Sequence, residues 1–140
     1  LSDGNEFSGA HAELTSKILK VFYSVANELG FGFVESVYRR SMLVALREAG
    51  FHVEEEVPIP VRFHGVVVGT FHADLVVQGL VVLELKTAEF IVKAFEAQLL
   101  HYLRASDMEV GLVLSFGERA NFTRLYRSNE AKRARQGRYT

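Results

Sequence analysis

The chain has no cysteine, no tryptophan and only two prolines in 140 residues. Without cysteine there is no disulfide staple and no zinc–thiolate site, which suits a reducing compartment. No run of about 18 apolar residues occurs, so no membrane-spanning helix is expected. The first residues, LSDGNEFSGAH, lack the basic-then-apolar order of a signal peptide. These absences predict a cytoplasmic protein with no membrane partner. Net charge is also small, −1, so no global positive field points to nucleic acid. The five histidines show no H-x-x-x-H spacing, and the glycines form no Walker loop.

What is present is a core. Hydrophobic residues make up 49% of the chain, enough for one domain of this length. Residues 1–10 are polar and Gly-containing and read as a flexible N-terminus. From His11 to Leu29, Leu14, Ile18, Val21, Phe22, Val25 and Leu29 recur at helical spacing. Gly30-Phe31-Gly32 ends that helix, and a second spans about Phe33 to Ala49. The run FHVEEEVPIPVRFHG alternates, and its two prolines suit an edge strand or a bulge. VVVGTFHADLVV and LVVLELKT read as further strands separated by Gln78-Gly79. A third helix is expected over AEFIVKAFEAQLLHYLRAS, then a buried strand EVGLVLSFG and an edge strand FTRLYR. The order is ααβββαββ, an α/β (α+β) domain over residues 11–128 with a mixed sheet. Residues 129–140 read as a basic tail. Arg119, Arg124, Arg127, Lys132, Arg133, Arg135 and Arg138 face only Glu118 and Glu130 over this end of the chain. Such a segment is either a phosphate contact or a solvated, partly disordered terminus.

The stretch HADLVVQGLVVLELKT places three ionisable residues, Asp74, Glu84 and Lys86, in an apolar hairpin. An unpaired buried ion costs several kcal/mol, so these residues need a surface or a ligand. Alternation puts Glu84 and Lys86 on one strand face and Leu83 and Leu85 on the other. Asp74 faces Glu84 only if the turn centres on Gly79, with the three-residue loop Gln78-Gly79-Leu80. Two carboxylates so placed repel unless a cation lies between them. Mg²⁺ takes such oxygen ligands, and a lysine beside them can position an attacking water. The spacing alone also fits a simple ion pair at a sheet end. On the second helix, Glu35 and Tyr38 lie three apart on one face. On the third, Gln98 and Tyr102 lie four apart. Glu35 also suits a helix N-terminus, and Tyr102 suits a core position.

Gly32-Phe33-Val34-Glu35-Ser36-Val37-Tyr38 spells G-x-x-E-x-x-Y. With PIPVRFHG, ADLVV, VLELKT and QLLHYL in order, the chain resembles the GxxExxY proteins of the PD-(D/E)xK nuclease superfamily, from about His11 to Phe116. The resemblance implies a restriction-endonuclease-like αβββαβ core, with the helix over 11–29 added outside or beside it. It implies that Asp74, Glu84 and Glu35 hold Mg²⁺ or Mn²⁺ together with the main-chain carbonyl of Leu85, and that Lys86 completes the catalytic set. Gln98, Tyr102, Tyr38 and His72 are the implied substrate contacts. Departures from the family pattern are Ala26 where a histidine is common, Phe31 in place of proline, and His72 in place of a more basic residue. The expected activity is metal-dependent hydrolysis of phosphodiester bonds by a metal-activated water, with DNA favoured over RNA and a homodimer compatible with the near-neutral charge. The alternatives are a non-catalytic nucleic-acid or protein-binding module on the same fold, and a small-nucleotide phosphohydrolase.

Overall fold

The computed structural model describes residues 9–139, with side chains through Ala134. The expected flexibility of residues 1–8 and the charges of Arg135 and Arg138 lie outside the described residues. The elements are α1 (Ala12–Leu29), α2 (Glu35–Glu48), β1 (Val53–Phe63), β2 (Val66–Val77), β3 (Val81–Lys86), α3 (Lys93–Ala105), β4 (Val110–Phe116), β5 (Ala120–Tyr126) and α4 (Asn129–Tyr139). Among the described residues, no helix is long and apolar enough to cross a membrane.

The strands form one sheet in the order β1-β2-β3-β4-β5. It is mixed: β3 and β4 are parallel and joined through α3, while the other neighbouring pairs are antiparallel. β3 and β4 are buried along nearly all their length, which explains why VVLEL and VGLVLSF read as continuous apolar runs. β1 lies at an edge, where Pro58 and Pro60 cost no ladder bond from an inner strand.

Helices cover both faces. Ile18, Phe22 and Val25 of α1 and Tyr38, Met42, Leu43 and Leu46 of α2 pack with Leu75, Leu83, Leu85, Leu112 and Leu114. The first helix, added beside the αβββαβ core, therefore shares its main apolar cluster. Ile18 and Phe22 are fully buried; at about 1.5–3 kcal/mol per buried side chain, they alone secure α1 against the sheet. On the other face, Leu99 and Leu103 of α3 meet Ile59, Ala73, Val76, Val82 and Val113.

One irregularity shapes the functional end of the sheet. Val53, Leu75 and Val77 belong with α1 and α2, whereas Val57, Ile59, Phe71 and Ala73 belong with α3. All are odd-numbered, so simple alternation would keep each strand's set on one face. Both strands change face between Glu55 and Val57 and between Ala73 and Leu75. Glu56 lies at this point with φ 50° and without a Cα partner in the β1–β2 register. Asp74 is the residue across from it.

The third helix starts later than expected, at Lys93, and Phe90 is exposed instead of joining its apolar stripe. Residues 88–89 are instead held against the end of β4. Ser115 Oγ donates a hydrogen bond to the Ala88 carbonyl, and the Glu118 N–H donates to Glu89 Oε2 at 2.9 Å. Gly117 lets these segments meet: a Cβ there would lie 2.6 Å from the Ala88 carbonyl oxygen and 2.9 Å from Glu89 Cα. At the other end of the chain, residues 129–139 are helical, which a tail without an apolar stripe did not announce.

The obstruction at Gly117 is backbone and cannot rotate away. Gly117→Ala is expected to destabilise the protein by about 1–3 kcal/mol, read as a lower urea midpoint with an unchanged slope.

Candidate active site

The β2–β3 hairpin places the acidic residues. Its register pairs Leu75 with Leu83, Val76 with Val82 and Val77 with Val81, so the loop is Gln78-Gly79-Leu80, centred on Gly79. Gln78 and Gly79 both have left-handed φ values, 57° and 65°, and the Leu80 N–H returns to the Val77 carbonyl at 2.9 Å. Continuing this register puts Asp74 across from Glu84. The ladder pairing stops there, and side chains take over. The Asp74 N–H donates to Glu84 Oε1 at 3.3 Å, and the Leu85 N–H donates to Asp74 Oδ2 at 2.8 Å. Each carboxylate thus receives a main-chain donor from the opposing strand.

Leu83 and Leu85 pack towards α1 and α2, so Glu84 and Lys86 face α3. Lys86 lies over the Phe95 ring of α3, with Nζ 4.9 Å from the centroid. This cation–π contact supports the stem and head of a lysine at the sheet end. Tyr102, one turn and more further along α3, is half-buried, stacks on Phe71 and is hydrogen-bonded by Gln98.

The electrostatics show which groups face one another. Burial pushes the Glu84 carboxyl up to about 8, and the neighbouring Asp74 charge adds to this; the Asp74 N–H and Lys86 oppose it. Burial also raises Asp74, against the Leu85 N–H, Arg39 and Lys86. Glu35 is raised by burial and then by Asp74, with Lys86 and Arg39 opposing. Tyr102 is raised by burial, followed by Glu84 and Asp74. Asp74, Glu84, Lys86 and Glu35 therefore form one interacting group between α2 and α3, with Tyr102 at its border.

Other expected residues have different places. Tyr38 is fully buried and stacked on Phe116 at 4.4 Å; its hydroxyl donates to the Gly30 carbonyl at 2.6 Å. The substrate contact expected for Tyr38 is corrected: it braces the turn that presents Glu35. Its phenol is spent on a helix-terminal carbonyl that would otherwise lack a partner. Gln98 and His72 are exposed. Leu85 reaches the site through its N–H, bonded to Asp74.

Arg39 is a member of the group that the sequence reading missed. It lies 3.7 Å from Glu56 and lowers both Asp74 and Glu35. Its spacing of four from Glu35 on α2 was the available signal. Its Nε is buried with no hydrogen-bond partner, so this guanidinium retains donor capacity beside the carboxylates.

Among the described residues, no three His, Cys, Asp or Glu side chains converge as a ready-made cation cage. Asp74 and Glu84 are each held by a main-chain donor of the hairpin. Two adjacent carboxylates remain, and both are raised by burial and by mutual repulsion or nearby charge. That donor set fits Mg²⁺ or Mn²⁺, which take hard oxygen ligands; Mg²⁺ in particular commonly uses one or two carboxylates, with waters and substrate phosphate completing its shell.

The raised Glu84 carboxyl has a consequence for stability. The folded protein holds this proton more tightly than the unfolded chain, whose glutamate titrates near 4.5. Stability of the metal-free protein therefore falls as pH rises from about 4.5 to about 8, by on the order of a few kcal/mol. Melting temperatures across this range are expected to show the decline, and Glu84→Gln is expected to flatten it.

Comparison with known proteins agrees with this arrangement. A family model described as the PD-(D/E)XK nuclease superfamily matches residues 12–127. No curated protein gives a significant match. The crystal structure of SSO0001 is similar in fold, with a TM-score of 0.51 and 19% sequence identity. The alignment covers 74% of this chain and 55% of that one, so the chain spans about half the length of its structural relative. The family match runs from the first turn of α1 to just past β5 and includes both strands of the acidic hairpin, and on that basis the chain belongs to the PD-(D/E)XK nuclease superfamily.

Proposed function

We propose that the chain is a Mg²⁺- or Mn²⁺-dependent nuclease that hydrolyses phosphodiester bonds, with DNA the favoured substrate. The observation that carries this reading is the opposed pair Asp74 and Glu84, each fixed by a main-chain N–H of the other strand, with Lys86 two residues further along the same face. Nucleases of this superfamily generally use divalent metals and act on nucleic acid, which supports the reading.

Asp74 and Glu84 would hold the metal, with Glu35 and the Leu85 carbonyl as supporting donors. Bound there, the metal would polarise a phosphoryl oxygen and lower the pKa of a coordinated water. Lys86, held by Phe95, orients the attacking water and stabilises charge developing on the phosphoryl group. The main-chain bonds to Asp74 and Glu84 keep both carboxylates aimed during the reaction, so little reorganisation is needed. Tyr102 and Gln98 border the cluster on α3 and contact the nucleic-acid strand, and exposed His72 supplies a further phosphate contact.

Calorimetric titration of Mn²⁺ and Mg²⁺, followed by incubation with single-stranded DNA, duplex DNA and RNA, tests this directly. Asp74→Ala is expected to lose metal binding and cleavage. Lys86→Ala is expected to keep metal binding and lose at least about 100-fold in rate. Both variants should melt cooperatively. Undiminished metal-dependent cleavage by the two purified variants would refute the assignment.

A further inference from the structure

A groove of about 710 Å³ runs beside the acidic cluster, between the β1 arm, the last turns of α3 and the start of α4. Its wall on the cluster side is Tyr102, which interacts with Glu84 and Asp74. Tyr102 also stacks on Phe71 of β2, three residues before Asp74, which puts this end of the groove near the cluster. Along the groove lie Arg62, His101, Arg104, Lys132 and Arg133, against the single acid Asp107. In a chain of net charge −1, this is a marked local excess of cations.

The floor of the groove is rigid. Lys132 Nζ donates to the carbonyls of Leu103, Ser106 and Met108 at 2.8, 2.9 and 2.9 Å. All three ammonium protons are thus used to close the end of α3 and to fasten α4 to it. Burial lowers the Lys132 ammonium; Glu109 and Asp107 oppose this, and Arg133 adds to it. Arg62 and Arg133, by contrast, are exposed on opposite walls, one on β1 and one on α4.

We propose that this groove carries the sugar–phosphate backbone of a single nucleic-acid strand on its way to the scissile phosphate, with Arg62 and Arg133 as the phosphate contacts. The inference rests on the nuclease reading for the position of the scissile phosphate, but the binding itself depends only on the groove. A slot with cations on facing walls suits one strand, whereas a duplex would need them spread over an open face. Phosphates entering it also relieve the repulsion between Arg133 and Lys132. Lys132 contributes positive potential while acting as a brace, so the two roles fall on different residues.

The test is anisotropy of a fluorescein-labelled single-stranded DNA oligonucleotide, titrated with the full chain in EDTA over a range of salt. Wild type is compared with Arg62→Ala/Arg133→Ala and with Lys20→Ala on α1 as a control for general charge. The double variant is expected to bind about tenfold or more weakly and to lose about 1.4 from the slope of log K against log salt. Lys20→Ala should bind as wild type does, and duplex DNA should bind more weakly than the single strand. A double variant that binds like wild type or like Lys20→Ala overturns the groove, even where metal-dependent cleavage is intact. Absence of binding by wild type, or preference for duplex, overturns it as well. Loss of binding in the double variant, with no cleavage by wild type in any metal, supports the groove and refutes the nuclease reading alone.

Discussion

Two hydrogen bonds that replace a ladder pair hold the site together. Where β2 and β3 would continue their regular exchange, the Asp74 N–H turns to Glu84 and the Leu85 N–H turns to Asp74. Main-chain donors in a sheet interior must be satisfied, and here the Glu84 and Asp74 carboxylates satisfy them. The carboxylates are therefore part of the sheet's own hydrogen bonding. Their placement follows from the hairpin register, and the register follows from the Gly79 loop.

The change of face in β1 and β2 supports the same end. Glu56 and Asp74 mark the point where the outer hairpin turns from one helical layer to the other. Asp74 can thereby interact with Arg39 and Glu35 of α2 while Glu84 and Lys86 address α3. Groups from both layers meet at one end of the sheet, which neither layer could arrange alone. The ion pair of half-buried Arg39 with exposed Glu56 is long, 3.7 Å, and contributes little energy of its own.

Much of this could be read from residue order. Strand alternation aligns Asp74 with Glu84 if the turn centres on Gly79, which is the turn the hairpin has, and the two prolines suit an edge strand or a bulge, both of which β1 shows. The misses have physical causes. Residues 88–92 carry helix-compatible side chains, but contacts from Ser115, Gly117 and Glu118 hold them out of α3, and such contacts across distant sequence leave no local periodicity. The positive φ at Glu56 falls on a residue that seldom adopts it. α4 lacks an apolar stripe, and among the described residues Asn129 and Lys132 fasten it. The resemblance implies a substrate contact for Tyr38, whereas its ring is core and its hydroxyl serves the Gly30 carbonyl.

The β1–β2 arm separates two kinds of change in this molecule. Its ladder runs out to Phe63 and Val66, far beyond the short stretch where β2 pairs with β3. Its tip, His64-Gly65, lies at the remote end from Asp74 and is exposed. Residues can be added or exchanged there in pairs without shifting the register that aligns the carboxylates. The same arm forms one wall of the groove beside Tyr102. The wall of the groove can therefore vary in sequence while the placement of Asp74 and Glu84 stays constant.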